Sequence, residues 1–299
     1  MTMQSCMQEK ERFGFTGDDA WFPRLADEEP KRSEEDTSEA TPLAAQEKDL
    51  KSLAPVIAVV GGSGGVGRSS IALLMAYFAA KQGVDTVLLE GDLQFGDMAF
   101  WLGLDDSQPS LATPGTCEPV RCELGFDLYK APVFPEAADE IVDELALNLG
   151  RLREERGLVI ADTGSYWSGF TATLLLQSDL FLMMADQRPA SVAAAIKASE
   201  LCSRLGIPST RMIAVYNRWS SKCTLSAKEL KRALGAGQVC CIPDGKECVD
   251  EAVRIGDVRE LEAQGSPVVA GVCELLKEAL PRVGIHCQQS DSKKKGLFK

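Results

Sequence analysis

Short apolar segments alternate with longer amphipathic segments along most of the chain, from Leu53 onward. The apolar runs are rich in Val, Ile and Leu, which is typical of strands buried on both faces of a parallel sheet. The predicted strands are Val56–Val60, Thr86–Glu90, Leu128–Pro132, Leu158–Ala161, Leu180–Met184, Met212–Tyr216 and Val239–Ile242. Helical patterns lie between them at 69–83, 135–155, 190–206 and 226–235. The alternation predicts an α/β fold of three layers, in which a mostly parallel sheet is flanked by helices.

The first 53 residues differ in composition from this pattern. Residues 1–51 hold thirteen Asp and Glu against seven Lys and Arg, and their net charge of −6 is half of the −12 of the whole chain. They contain few apolar residues, so burial cannot offset the entropy cost of ordering them. The sequence therefore predicts a disordered acidic tail at 1–53, one domain at 54–285 and a basic tail at 286–299.

The overall charge and the cysteines indicate which partners and which cellular compartment to expect. A net charge of −12 argues against nucleic acid as the main partner, since phosphate backbones are bound by clustered Lys and Arg. No run approaches 18 uncharged apolar residues, and charges stand where a secretory signal would need an apolar stretch. Ten cysteines without paired zinc spacing are then expected to be reduced thiols. We expect a cytoplasmic protein.

A glycine-rich loop between the first strand and the first helix is the strongest chemical signal. Residues 62–69, "GSGGVGRS", fit the phosphate-loop pattern G-x-x-x-x-G-K-[ST], except that Arg68 replaces the lysine. Glycines let successive backbone N–H groups turn toward an anion, and the helix that follows adds its positive end. Arg68 supplies a positive charge, but its planar guanidinium needs more room than an ammonium.

The same loop also fits a dinucleotide-binding fingerprint. Gly62, Gly64 and Gly67 have the G-x-G-x-x-G spacing, and Glu90 ends the second strand near the position of a ribose-binding acid. A NAD(P)-dependent Rossmann oxidoreductase is therefore a distant alternative. The sequence shows no Tyr-x-x-x-Lys or catalytic-histidine arrangement for hydride chemistry.

Two further acids favour the phosphate loop. Asp92 follows the second strand, and Asp162 ends the strand in "GLVIADTGS". Each alone is compatible with an ordinary turn or cap residue. Both stand at the carboxyl end of a strand, where sites form in α/β proteins, and there they would hold Mg²⁺ or orient a water.

The ordered set of motifs resembles the MinD/ParA family of deviant-Walker ATPases over roughly residues 54–283. The set comprises the glycine loop, "GDLQFGDMAFWLGL", "LYKAPV", "VIADTGSYW", "AVYNRW" and "CIPDG" followed by "EAVRIGDVRELEAQGSPV". The "DLQFGD" element and the strand end "APVFPE" are most similar to the TadZ/CpaE branch, which helps to place Flp-type pilus assembly machinery. The resemblance implies ATP and Mg²⁺ as cofactors.

The resemblance also assigns roles to individual residues. It implies Asp92 as the catalytic acid, Asp162 as the Walker B acid and Ser69 as a further Mg²⁺ ligand. The implied nucleotide-binding residues are Gly64, Gly65, Val66, Gly67, Arg68, Ser69, Ser70 and Asn217, the last at the adenine. The family pattern K-G-G-V-G-K-[ST] falls on residues 63–69, so both lysines are absent. Ser63 replaces the one that reaches the nucleotide of the opposite subunit in a homodimer.

The C-terminal "SDSKKKGLFK" resembles the start of the membrane-targeting helix of many family members. Its lysines imply a weak peripheral contact with an anionic membrane, whereas its composition is equally that of a frayed soluble tail. Two functions remain open. The first is a TadZ/CpaE-like positional scaffold with weak or lost ATP hydrolysis and pilus-assembly or cell-pole partners. The second is an active ATPase switch in cell division or partitioning, with Arg68 replacing the lysine.

Overall fold

The computed structural model describes residues 53–104, 119–138, 149–255 and 257–286. Apart from Leu53 and His286, the two predicted tails lie outside these ranges, and the domain boundaries stay predictions. No helix of the described residues is long and apolar enough to cross a membrane.

One sheet runs through the described part of the chain. Its eight strands have the order β3-β4-β2-β5-β1-β6-β7-β8, and every neighbouring pair except β3 with β4 is parallel. The strands are β1 Val56–Gly61, β2 Thr86–Gly91, β3 Val120–Arg121, β4 Asp127–Tyr129, β5 Leu158–Thr163, β6 Leu180–Ala185, β7 Met212–Trp219 and β8 Gln238–Pro243. All seven predicted strands are present, while the two-residue β3 was not predicted.

The third predicted strand is shorter than the sequence suggests. Leu128–Pro132 was predicted, but β4 ends at Tyr129, which pairs with Leu89 of β2. One residue further along β2, the carboxylate of Glu90 accepts the N–H of Ala131 at 2.9 Å. A side chain thus takes a backbone donor that would otherwise extend the ladder, so the chain leaves the sheet there.

Helices cover both faces of the sheet. The described helices are α1 Arg68–Lys81, α2 Met98–Trp101, α3 Gly169–Gln177, α4 Pro189–Arg204, α5 Ala227–Leu234, α6 Glu247–Ile255, α7 Arg259–Ala263 and α8 Pro267–Arg282. Residues 149–155 are also helical, so the predicted helix 135–155 is confirmed at its C-terminal end, while 139–148 lie outside the described residues. Its predicted start is a short 3-10 turn, Pro135–Ala137.

The central strand β1 explains the three layers. Ile57 and Val59 pack in a core with α1 and α8, whereas Ala58 and Val60 pack in a core with α4. Alternate side chains of a strand point to opposite faces, so a strand that is apolar throughout requires helices on both sides. Because the pairings are parallel, the loops after β1, β2, β5, β6, β7 and β8 all leave the same edge of the sheet, and the candidate site forms there.

Candidate functional site

The glycine loop connects β1 to α1 and packs closely against its surroundings. Gly65 (φ 69°) and Gly67 (φ 87°) adopt the left-handed conformation that favours glycine. A Cβ atom at Gly62 would lie 2.2 Å from the carbonyl oxygen of Ala194, so the loop touches the backbone of α4. The glycines are thus required by close packing and by the turns of the loop.

Four consecutive carbonyl groups of this loop each accept a side-chain N–H group. The bonds are Arg68 Nη1 to Ser63 (2.9 Å), Arg188 Nη2 to Gly64 (3.2 Å), Arg218 Nη1 to Gly65 (2.8 Å) and Asn217 Nδ2 to Val66 (2.8 Å). The donors come from α1, from the loop after β6 and from the end of β7. Three separate segments therefore hold the glycine loop in one conformation.

The backbone N–H groups of the same loop remain available. None of those from 63 to 70 donates to another residue that the structure describes. A trans peptide is planar, so an N–H group points away from the carbonyl that precedes it, and holding the carbonyls also orients the N–H groups. Successive oriented N–H groups ahead of a helix N-terminus form a concavity suited to anions. The predicted phosphate-binding positions Gly64 to Ser70 are brought together here.

Arg68 lies beneath the loop with only 8% of its surface exposed. Besides Ser63, it contacts β5, since its Nε donates to the carbonyl oxygen of Thr163 at 3.1 Å. Burial lowers the pKa of Arg68, and the negative charges of Asp162 and Asp92 oppose that shift. The arginine therefore joins the loop to the strand that carries one acid, close to both predicted acids.

Asp162 is the most deeply buried acid of the predicted set, at 2% exposure. Burial raises its pKa to about 7, a hydrogen bond with Ser69 and the charge of Arg68 oppose the rise, and Glu90 and Asp92 add to it. Its Oδ1 atom is buried and has no hydrogen-bond partner among the described residues. A carboxylate oxygen without a partner beside a serine hydroxyl fits Mg²⁺, which prefers oxygen ligands.

Asp92 begins the loop after β2 and is half-buried. Its Oδ1 accepts the N–H of Phe95 at 3.1 Å, which fixes the carboxylate at the start of the loop. It borders a cavity of about 260 Å³ with Gly164 and Tyr166, which follow β5. The structure thus brings Asp92 and Asp162 to one region, as the sequence predicted.

The Rossmann alternative is wrong, and Glu90 shows why. This side chain does not face the open site, because it is buried and each of its oxygens accepts a backbone N–H, from Met98 (2.7 Å) and Ala131 (2.9 Å). Burial raises its pKa, and these two hydrogen bonds oppose the rise. Glu90 therefore anchors the loops after β2 and β4 instead of binding a ribose.

A second cavity, of about 310 Å³, lies beside the start of α1. Gly67, Ser70, Asn217, Arg218 and Lys246 are among its lining residues. Arg218 (φ 50°) and Lys246 (φ 49°) are the non-glycine residues with positive φ in the described part of the chain, and backbone strain of this kind concentrates at functional sites. The cavity is next to the phosphate loop and has room for a nucleobase.

Sequence reasoning missed three residues of this site. Asp186 pairs with both Arg188 and Arg218 at the loop. All three are far from the loop in sequence, because Asp186 and Arg188 follow β6 and Arg218 lies near the end of β7. Asn217 was predicted as an adenine contact; its Nδ2 donates to the carbonyl oxygen of Val66, and the residue also lines the cavity beside α1. A charged residue directly after a buried strand was the available signal, and it did not specify which loop would be contacted.

The strand order, the glycine loop between β1 and α1 and the acids at the carboxyl ends of β2 and β5 define a P-loop nucleotide-binding fold of the MinD/ParA type. MinD complexed with Mg-ADP from Pyrococcus horikoshii superimposes with a TM-score of 0.66 at 16% identity, covering 77% of this chain and 99% of that one. A ParA family ATPase from Chlorobium tepidum gives 0.65 at 20% identity, covering 75% and 98%. These likenesses establish the fold.

The sequence comparison agrees with the structural one. An uncharacterized ATP-binding protein of Methanocaldococcus jannaschii is 23% identical in an alignment of 264 residues that covers 82% of this chain and 94% of that protein. No protein-family model matches the chain.

Proposed function

We propose that this protein binds ATP with Mg²⁺ and acts as a TadZ/CpaE-type positioning factor with weak or lost ATP hydrolysis. One observation carries the binding part: side chains hold the four carbonyls from Ser63 to Val66, while the neighbouring N–H groups have no acceptor among the described residues. Such an arrangement is a concavity suited to an anion. The similarity to an ATP-binding protein and to MinD with Mg-ADP supports a nucleotide as that anion.

In this proposal, the loop, one cavity and the acids each contact a different part of the nucleotide. The phosphates lie on the N–H groups of the loop, and the base enters the cavity of about 310 Å³ beside Ser70 and Asn217. Ser69 and Asp162 hold Mg²⁺, which would neutralise phosphate charge. Asp92, at the start of the loop after β2, would orient a water molecule toward the terminal phosphate.

Weak hydrolysis follows from what Arg68 already contacts. Two of the five N–H donors of its guanidinium are bound to Ser63 and Thr163, so the group cannot move toward a transferring phosphate without giving up these hydrogen bonds. Transition-state stabilisation is strongest when the donors need no such reorganisation. Retention of the nucleotide without efficient turnover suits a positional scaffold. Its assembly as a homodimer and its pilus-assembly partners are part of the proposal and are supported by the motifs alone.

The test is a titration with labelled ATP, with and without Mg²⁺, on the wild type, Arg68→Ala and Asp92→Asn. We expect Mg²⁺-dependent binding by the wild type and by Asp92→Asn, binding weakened at least tenfold in Arg68→Ala, and little or no phosphate release. Absence of ATP binding by the wild type would refute the nucleotide site. Turnover at the rate of an ordinary ATPase of this fold would refute the scaffold.

The second candidate is a working ATPase switch, favoured by the joint presence of Asp92, Asp162 and a buried cation at position 68. It predicts slow phosphate release that disappears in Asp92→Asn while ATP binding persists. Equal release by the wild type and this variant would exclude it, because the acid would then have no part in the reaction.

A further inference from the structure

A buried carboxylate connects two arginines that hold the tip of the glycine loop. Asp186 is 1% exposed, and it lies 2.7 Å from Arg188 Nη2 and 3.5 Å from Arg218 Nη1. Arg188 also donates through its Nε and its backbone N–H to the same carboxylate. Burial alone would raise the pKa of Asp186, but the hydrogen bonds and charge of Arg188 and a hydrogen bond with Ser191 hold it below the ordinary value. The acid is therefore an anchoring anion.

Both arginines extend from this anchor to adjacent carbonyl groups. Arg188 reaches Gly64 at 3.2 Å and Arg218 reaches Gly65 at 2.8 Å, although their side chains are 53% and 45% exposed. Exposed arginines are ordinarily mobile. Here hydrogen bonds to Asp186 and Gly64 restrict Arg188, and a hydrogen bond to Gly65 with an ion-pair contact to Asp186 restricts Arg218. Arg218 also keeps a left-handed backbone (φ 50°) that a non-glycine residue adopts only when its surroundings require it.

We propose that Asp186, Arg188 and Arg218 form a latch, a set of positioning residues that holds the glycine loop open for a phosphate chain. Because each peptide is planar, fixing the carbonyls of Gly64 and Gly65 fixes the direction of the following N–H groups, on Gly65 and Val66. Both arginines are bound to loop carbonyls and paired with Asp186, so the latch acts on the ligand through the loop. It rests on the proposed function for its ligand, but the loop geometry that it predicts can be measured without one.

Direct contact between Arg218 and the ligand is the alternative, because Arg218 also lines the base cavity. Asp186 separates the two ideas. At 1% exposure it cannot touch a ligand, and the loss of its negative charge would by itself favour an anionic ligand, so weaker binding must arise through the arginines and the loop. A ligand that has phosphates and no base then isolates the loop from the cavity.

The experiment compares Asp186→Asn with the control Asp179→Asn. Asp179 is also an acid bound by an arginine and a backbone N–H, from Arg153 and Val56, but it lies at the opposite edge of the sheet. Calorimetry with inorganic tripolyphosphate and with Mg-ATP measures affinity, and amide hydrogen exchange reports on residues 63–70. We expect Asp186→Asn to weaken both ligands about tenfold and to speed exchange in the loop without ligand, whereas the control changes neither.

Two further variants keep the test decisive if Asp186→Asn does not fold. Arg188→Gln with Arg218→Gln changes exposed side chains and should reproduce both effects. Arg188→Lys keeps the charge but has one nitrogen in place of the Nε that binds Asp186 and the Nη2 that binds Gly64, so it should also weaken tripolyphosphate binding. Full affinity in this variant would overturn the latch in favour of simple charge attraction. Unchanged loop exchange in the double variant would likewise overturn it. If the wild type binds neither ligand, the nucleotide proposal fails, while loop exchange still decides the latch.

Discussion

Arg68 and Ser63, the two positions at which the glycine loop departs from the lysine pattern, are joined by a hydrogen bond of 2.9 Å from Nη1 to the Ser63 carbonyl oxygen. The two departures therefore form one structural unit. The cation that would usually face a phosphate supports the loop from below, and Thr163 on β5 accepts its second bond. Loop support thus uses two of the five N–H donors of this guanidinium and fixes its position.

Removing Arg68 should cost both stability and ligand affinity. Arg68→Ala leaves the buried carbonyl of Thr163 and the partly buried carbonyl of Ser63 without this donor, at up to about 1–3 kcal/mol for each unsatisfied group. Arg68→Lys should fall between wild type and Ala, since an ammonium cannot make both bonds in the same geometry. Urea unfolding of the three proteins checks the order. Arg254→Ala, at an exposed pair with Glu251, is the control and should change stability by less than about 1 kcal/mol.

A methyl group should lower the stability of the protein at Gly62 but have little effect at Gly64. Gly62→Ala would place Cβ 2.2 Å from the Ala194 carbonyl oxygen, so either the loop or α4 must move. Gly64→Ala meets nothing within 4 Å and its φ is not positive, so the folded state tolerates it. Thermal unfolding should show a loss of at least several degrees for Gly62→Ala and little change for Gly64→Ala. Equal values would mean that the loop does not pack against α4 as described.

Without metal, Asp162 should make stability depend on pH. Its folded pKa of about 7 lies above that of an unfolded Asp, so its protonated form contributes stability that is complete at acidic pH and is lost as pH rises through about 7. Asp162→Asn should therefore unfold at a higher temperature than wild type at pH 8 in EDTA, with the difference vanishing near pH 4. Excess Mg²⁺ should raise the unfolding temperature of the wild type but not that of Asp162→Asn, because a ligand that binds the folded state stabilises it.

Substitution of Glu90 should affect the stability of the protein more than its ligand binding. Glu90→Ala removes the acceptor of two buried backbone N–H groups, on Met98 and Ala131, and opens a cavity beneath the loop that carries Asp92. We expect a loss of roughly 2–5 kcal/mol in the free energy of unfolding. Glu90→Gln keeps one acceptor and should lose less. A ribose-binding acid would show the reverse, with NAD(H) affinity lost and stability retained.

The strands were predictable because a strand with helices on both faces must be apolar along its length, and this signal is local. Val56 to Val60 illustrates it, since all five residues are fully buried. The end of β4 was not predictable, because it depends on a hydrogen bond between Ala131 and a side chain 41 residues earlier. Likewise, the apolar pattern showed that Glu90 ends a strand but not that its carboxylate turns inward.

The sequence by itself determined the class of fold, the place of the glycine loop and the strand-end positions of Asp92 and Asp162, because periodicity and loop chemistry are properties of neighbouring residues. Only the tertiary structure decided what holds the loop. Its carbonyls are bound by Arg188, Asn217 and Arg218, which stand 124 to 153 residues away in the chain. Such contacts arise when parallel strands bring their carboxyl ends to one edge of the sheet, and no local pattern specifies which side chains meet there.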